Sequence, residues 1–332
     1  MGTLPLGAAL KRGGLVAAAN WPVVLIDFGV ESLFKLAVSV PILGGALMVS
    51  ALVGHGLSTV MAAGISPTAD VVLGSLADAP VALVAFLTAV AVTAVGAEAL
   101  MVVVKSGTLA VVVEADRVAG EIQAEPFDGD VLGRANQFGL EMVVAGARHF
   151  VRRSVVLAVA LGVVYCAVGL AYTGVITSSP RSNWALAWPV VVLLATSVGI
   201  VSITAINLAS DLLRVVMVTD DCSVRMAIRR LGRFMIEDAR QVLGIFGVMA
   251  AVELVANAFS LLAAAGLTPI AYLPVVGLIM VPLQAAVWLL RGLLFQGLSL
   301  ASLAAYQTQY RRFSRVRWAL PQPPGRLAAW RG

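Results

Sequence analysis

Long apolar runs separated by short polar connections dominate the pattern of this chain. Six runs have the roughly 20 apolar residues that an α-helix needs to cross the hydrocarbon core of a bilayer. The six predicted transmembrane spans are, approximately, residues 34–53, 81–104, 155–175, 185–208, 242–264 and 272–294. Residues 15–30 are also apolar, but Pro22, Asp27 and Glu31 interrupt them. We therefore interpret residues 15–30 as a helix that lies on or enters the membrane surface.

The composition agrees with a membrane protein. Of 332 residues, 60% are hydrophobic and 12% are charged, and the mean hydropathy is +0.95. Soluble domains have about 45–50% apolar and about 25% charged residues. The composition therefore excludes an ordinary soluble enzyme, a disordered protein and, with two cysteines, a disulfide scaffold. We expect one membrane domain over residues 1–332, which ends in a basic, proline-containing cytoplasmic tail at residues 311–332.

Lysine and arginine are distributed unequally between the connections. Residues 55–80 and 266–271 contain neither, and residues 176–184 contain only Arg181. The connections at 105–154 and 209–241 and the C-terminal tail are rich in arginine. Because cytoplasmic loops carry the excess of basic residues, both termini are predicted to lie in the cytoplasm.

Two of the cytoplasmic connections resemble each other. Residues 109–116 read Leu-Ala-Val-Val-Val-Glu-Ala-Asp, and residues 213–220 read Leu-Arg-Val-Val-Met-Val-Thr-Asp. An amphipathic helix is predicted after each, and Asp220 or Asp221 is expected to cap the second one. The predicted fold is all-α, with six transmembrane helices in three hairpins, each introduced by a cytoplasmic amphipathic helix.

Two segments carry a resemblance to a known family. They are Ala-Ile-Arg-Arg-Leu-Gly-Arg-Phe at residues 227–234 and Ala-Ala-Tyr-Gln-Thr-Gln-Tyr-Arg-Arg at residues 304–312. With the order of spans, they resemble the bacterial six-helix membrane domain attached to some glycerophosphodiester phosphodiesterases. The resemblance implies a non-catalytic module of the bacterial plasma (inner) membrane.

Arginines recur beside the apolar spans, where anionic headgroups of the inner leaflet attract them. In the second amphipathic helix they occupy one face, and Leu231 and Phe234 on the other face are expected to enter the acyl boundary. The C-terminal arginines alternate with aromatic residues, but their place directly after a span favours lipid over nucleic acid. The predicted headgroup contacts are Arg148, Arg152, Arg225, Arg229, Arg233, Arg311, Arg312 and Arg315.

Four polar residues lie inside the predicted spans: Glu98, Glu253, Asn257 and Arg291. The transfer of such polar residues into hydrocarbon is energetically unfavourable, so they indicate either a functional site or a contact between helices. One interpretation is a proton relay or a substrate contact. The other, which we favour, is a structural contact in which protonated Glu253 donates to Asn257 or to a facing carbonyl. Arg291 is expected too near the cytoplasmic interface to reach Glu253 easily.

Candidate chemistry beyond these residues is sparse. A calcium loop that starts at Asp128 would place Leu132 and Gly139 at two ligand positions, so no metal site is predicted. His55 or His149 is a conceivable ligand for haem or a pigment, but no second histidine lies on a facing span, and no cofactor is expected. The sequence indicates a non-enzymatic membrane scaffold or accessory subunit with protein partners in the membrane. The alternative is a transporter or permease for a small or lipidic substrate.

Overall fold

The computed structural model describes residues 4–53, 80–125, 129–177, 188–271 and 274–318. These residues form α-helices joined by short connections, with no β-strand among them. The helices are α1 (Leu6–Ala19), α2 (Trp21–Val53), α3 (Pro80–Val118), α4 (Gly129–Ala135), α5 (Leu140–Thr177), α6 (Trp188–Asp220), α7 (Val224–Glu237), α8 (Ala239–Ala271) and α9 (Pro274–Trp318).

Within the described residues, five helices are long and apolar enough to cross a membrane. The corresponding segments are Thr88–Val118, Leu140–Val175, Trp188–Asp220, Ala239–Ala263 and Pro282–Val316. They overlap the second to sixth predicted spans, so the chain is a helical, multi-pass membrane protein. The first predicted span, residues 34–53, lies in α2, but most side chains from residue 42 onward lie outside the described part. The count of six spans and the three hairpins stay predictions.

The membrane helices are longer than a bilayer requires. The 33 residues of α6 extend about 50 Å, whereas the hydrocarbon core is about 30 Å thick. Most buried residues lie at one end of these helices, in residues 103–118 of α3, 143–158 of α5, 210–218 of α6 and 300–314 of α9. We call these segments, together with α1, α7 and the first turns of α8, the juxtamembrane core. In the predicted orientation it lies on the cytoplasmic side.

The chain divides into two compact units. One consists of Met1–Phe28 with Val103–Gly332, and it contains the whole juxtamembrane core. The other is Gly29–Val102, which includes the predicted intramembrane residue Glu98 in a half-buried position on α3. The functional site described below belongs to the first unit.

Two expectations about the surface helices are wrong. Residues 15–30 do not form a single helix, because α1 ends at Ala19 and α2 begins at Trp21. Pro22 lies in the first turn of α2, where its missing N–H breaks no helical hydrogen bond. Before the third predicted span there is no separate long amphipathic helix, since α5 runs without a break from Leu140 into the membrane. By contrast, α7 is the separate amphipathic helix that the sequence predicts.

Glycines allow the closest helix contacts of the core. A Cβ added to Gly13 of α1 would lie 2.5 Å from the carbonyl oxygen of Ala301 and 2.8 Å from the amide nitrogen of Ala305, both on α9. A Cβ on Gly107 of α3 would lie 2.3 Å from the carbonyl oxygen of Val143 on α5. These backbones therefore approach more closely than any side chain would permit.

Candidate functional site

Asp116, the last residue of the first repeated segment, is the centre of the juxtamembrane core. Its side chain is 1% exposed. The carboxylate accepts a bond from Arg12 Nε at 2.5 Å, from Thr308 Oγ1 at 3.0 Å and from Arg311 Nη1 at 2.7 Å. One carboxylate thus joins α1, α3 and α9, which are far apart in the sequence.

Arg12 is buried on α1, and its guanidinium donates four hydrogen bonds. Besides the carboxylate, it donates to the backbone oxygen of Asp116 at 2.7 Å, to Gln123 Oε1 at 2.8 Å and to the backbone oxygen of Gly120. Gly120 has a φ of +59°, a conformation that glycine adopts at helix ends without strain. The turn after α3 therefore supplies two acceptors for the same arginine.

Asp220 ends the second repeated segment and has a similar role on α6. Its Oδ2 accepts a hydrogen bond from Arg230 Nη1 of α7 at 2.5 Å and one from the Tyr310 hydroxyl of α9. Burial lowers the pKa of Arg230, but the hydrogen bond and charge of Asp220 outweigh it and raise this pKa overall. Tyr310 is buried and packs edge to face on Phe234 of α7, with the ring centroids 5.3 Å apart. This contact joins α6, α7 and α9.

The two repeated segments thus perform matching tasks. Asp116 and Asp220 occupy equivalent positions at the ends of α3 and α6, and both bind the segment from Thr308 to Arg311 near the end of α9. The repeat in the sequence contains both aspartates, but the expectation that Asp220 or Asp221 caps α7 is wrong. Its N-cap is Ser223, and Asp220 contacts side chains from other helices.

Asp221 makes the corner between α6 and α7. Its φ is +50°, a left-handed conformation that aspartate tolerates better than most residues. Its carboxylate contacts His149 Nε2 at 3.0 Å and accepts a bond from Arg153, both on α5. Burial raises the pKa of Asp221, but the hydrogen bonds and charges of His149 and Arg153 lower it below the ordinary 3.8. His149 therefore holds α5 against this corner, while His55 lies outside the described residues.

Cys222 follows the corner and is half-buried. Burial and the neighbouring charge of Asp220 raise the pKa of this thiol to about 11. Because the thiolate is the reactive form, Cys222 is a poor nucleophile at neutral pH.

The amphipathic helix α7 buries one face. Ala227, Leu231 and Phe234 are buried in the juxtamembrane core. The expectation that Leu231 and Phe234 enter the lipid is therefore wrong, since the apolar face of α7 packs on protein. The predicted headgroup contacts on the opposite face, Arg225, Arg229 and Arg233, are exposed.

Outside α7, the predicted headgroup contacts divide into two groups. Arg148, Arg152 and Arg315 are exposed and Arg312 is half-buried. Arg311 differs from them, because its side chain is 13% exposed and pairs with Asp116. Arg311 is therefore part of the internal ion-pair cluster rather than of a lipid-facing surface.

The structure brings three of the four predicted intramembrane polar residues together, but not in the expected way. Asn257 Nδ2 donates to the backbone oxygen of Glu253 at 3.1 Å, and Asn257 Oδ1 accepts a hydrogen bond from Arg291 Nη2 at 3.1 Å. The expected bond between the Glu253 side chain and Asn257 is absent from these contacts. The Glu253 carboxyl group interacts unfavourably with the charge of Asp211 on α6, and it also interacts electrostatically with Tyr306 of α9.

Sequence reasoning missed the roles of Arg12, Thr308, Tyr310 and Arg230. The sequence did contain one signal for Arg12, which is a single arginine among the apolar and small residues of one face of α1. An arginine buried on such a face requires a carboxylate partner, so this pattern could have predicted an ion pair.

Within the described residues, no group of three or more His, Cys, Asp or Glu is placed to hold a metal ion.

Comparison with known proteins gives no relative, because the chain matches no family model, no curated protein and no solved structure.

Proposed function

We propose that this protein is a non-enzymatic integral membrane scaffold or accessory subunit whose spans bind other membrane proteins. The observation that carries the proposal is the contrast between the juxtamembrane core and the spans. Buried ion pairs tie α1, α3, α6, α7 and α9 together at one end. In the most apolar 18 residues of each candidate span, by contrast, the buried share is 0% in α6 and at most 22%, in α5.

Exposed apolar surfaces on the spans must be covered by lipid or by other protein helices. Large side chains such as Leu193 on α6 and Leu254 and Phe259 on α8 are exposed. Lipid tails cover such surfaces as readily as protein does, but close helix packing favours a partner helix. The resemblance to a non-catalytic six-helix membrane domain supports the same function.

The experiment is purification of the tagged chain in native membrane patches, followed by mass spectrometry of stoichiometric partners. Single tryptophan substitutions at the exposed positions Leu193, Leu254 and Leu290 test which face binds the partner. We expect one position to release the partner, while the others serve as matched controls. A chain that purifies alone, and is unaffected by all three substitutions, would contradict the proposal.

The orientation with both termini in the cytoplasm of a bacterium belongs to the same proposal. It rests on the arginine distribution, and the exposed arginines of α7 and α5 suit the anionic inner leaflet. In a background without Cys166 and Cys222, single cysteines within residues 55–80 should react with an impermeant maleimide from outside. A cysteine at Arg225 should react only after the cells are opened. Equal reaction of both from outside would refute this topology.

A second candidate function is transport of a small or lipidic substrate. The observation in its favour is the electrostatic interaction of Glu253 with Asp211 and Tyr306 on two other helices, since carboxylates within membrane helices can serve as relays. For a scaffold, Glu253→Gln should leave both assembly and lipid movement unchanged. If the wild-type chain moves a fluorescent phospholipid across proteoliposomes and a folded Glu253→Gln variant does not, transport becomes the better explanation.

A further inference from the structure

Arg291 is an exposed arginine on a candidate membrane helix. It lies on α9 inside the candidate span Pro282–Val316 and is exposed. Its neighbours Trp288, Leu290 and Leu294 are exposed too. A cation among exposed apolar side chains requires a specific reason.

The protein satisfies this guanidinium only in part. Arg291 Nη2 donates to Asn257 Oδ1 at 3.1 Å, and its central carbon lies 5.6 Å from the ring centroid of Phe295. Among the described residues, no carboxylate lies within 4.0 Å of the guanidinium, although a guanidinium has five N–H donors. Most of its donors and all of its charge are therefore open to a partner that the described residues do not supply.

Glu253 is the nearest acidic candidate in the sequence of α8, one turn from Asn257. Its backbone oxygen accepts the Asn257 amide, and its carboxyl group interacts electrostatically with Asp211 and Tyr306. The Asn257 amide therefore positions Arg291, and the Glu253 carboxylate makes no ion pair with this guanidinium.

The depth of Arg291 fits a headgroup phosphate. Arg291 follows Pro274, the start of α9, by 17 residues, which is about 26 Å at the helical rise. The sixth predicted span begins at residue 272. A hydrocarbon core of about 30 Å that begins near Pro274 therefore ends within one turn of the guanidinium. A phosphate at this boundary meets the guanidinium with its lipid chains beside the exposed leucines of α8 and α9.

We propose that Arg291, positioned by Asn257, binds the phosphodiester of an anionic phospholipid at the surface formed by α8 and α9. The planar fork of arginine matches two phosphate oxygens, and a net negative headgroup balances the unpaired charge. The acyl chains run from the phosphate towards the start of α9 and pack on Trp288 and Leu290, which are exposed on that side of Arg291. This site is independent of the scaffold function, because a scaffold and a transporter can each hold a lipid there.

Native mass spectrometry of the full chain, titrated with phosphatidylglycerol, tests the proposal. We expect one tightly held lipid on the wild-type chain and an affinity about tenfold lower, or more, for Arg291→Gln, because two charge-assisted hydrogen bonds are lost. Asn257→Leu should weaken binding to a smaller extent. Arg225→Gln is the matched control, since it removes the same charge from the exposed face of α7 and should leave this lipid bound.

Several outcomes would overturn the proposal. If Arg291→Gln retains phosphatidylglycerol as the wild type does, Arg291 is not its ligand. Equal affinity for phosphatidylcholine would refute the role of headgroup charge. Displacement of the lipid by millimolar inorganic phosphate would show a site for free anions. If Arg291→Gln does not fold, Arg291→Lys keeps the charge without the fork, and full retention of the lipid would refute bidentate binding.

Discussion

Asp116→Asn should be among the most damaging single substitutions in this chain, although it changes one atom. It leaves two guanidinium groups, Arg12 and Arg311, buried together without a counter-charge. Arg12, Thr308 and Arg311 all donate hydrogen bonds to this carboxylate. The NH2 group of the new asparagine is itself a donor, so it would face other donors in place of the lost acceptor oxygen. Removal of one partner from a buried ion pair costs about 3–5 kcal/mol. We expect a loss in the free energy of unfolding within that range.

Glu125→Gln is the matched control. Glu125 pairs with Lys11 at 3.2 Å, so this pair joins α1 to the turn after α3, as the Arg12–Asp116 pair joins α1 to the end of α3. Its side chains are 43% and 86% exposed, for Lys11 and Glu125 respectively. Exposed ion pairs contribute about 0.2–1 kcal/mol, so the control should lose about 0.5 kcal/mol or less.

The assay is reversible unfolding in mixed micelles with increasing dodecyl sulfate, followed by circular dichroism. A further variant, with Arg12→Met, Asp116→Leu and Arg311→Met combined, should recover much of the loss, because the imbalance of buried charge is removed. If Asp116→Asn unfolds within about 1 kcal/mol of Glu125→Gln, a spread typical of surface substitutions, the cluster does not stabilise the fold as argued.

Three further predictions concern other parts of the juxtamembrane core. Gly13→Ala should lower the free energy of unfolding by about 1–3 kcal/mol, because the new Cβ collides with the α9 backbone. In the control Gly14→Ala, the new Cβ meets no atom within 4 Å, and the free energy of unfolding should rise by about 0.5–1 kcal/mol. Equal unfolding midpoints for the two variants would refute the close contact. Cys222 should react slowly with maleimide at pH 7 and faster as the pH rises towards 11, and a rate that levels off near pH 8 would contradict the raised pKa. Asp221→Asn should lower stability above about pH 4 and lose its effect as the pH falls through the lowered pKa of Asp221, which paired acid titrations of both proteins would show.

The sequence alone determined that the protein is a helical membrane protein, and it predicted the places of the five candidate spans among the described residues. A helix that crosses a bilayer must be long and apolar whatever helices lie beside it. The hydropathy of each segment therefore predicts a span without knowledge of the neighbouring helices. For the same reason, the periodicity of residues 224–237 was sufficient to predict α7. The repeat also identified Asp116 and Asp220, although Asp220 was expected to cap α7.

Only the tertiary structure decided what those aspartates bind. The partners of Asp116 are separated from it by 104, 192 and 195 residues, and no local pattern links them. The same holds for the apolar face of α7, which has a periodicity equally suited to lipid and to protein, and which Tyr310 and Phe313 cover. A hydrophobic face specifies that it must be buried but not by what, and a buried charge specifies that it needs an opposite charge but not which one. Those choices follow from the way the helix ends meet.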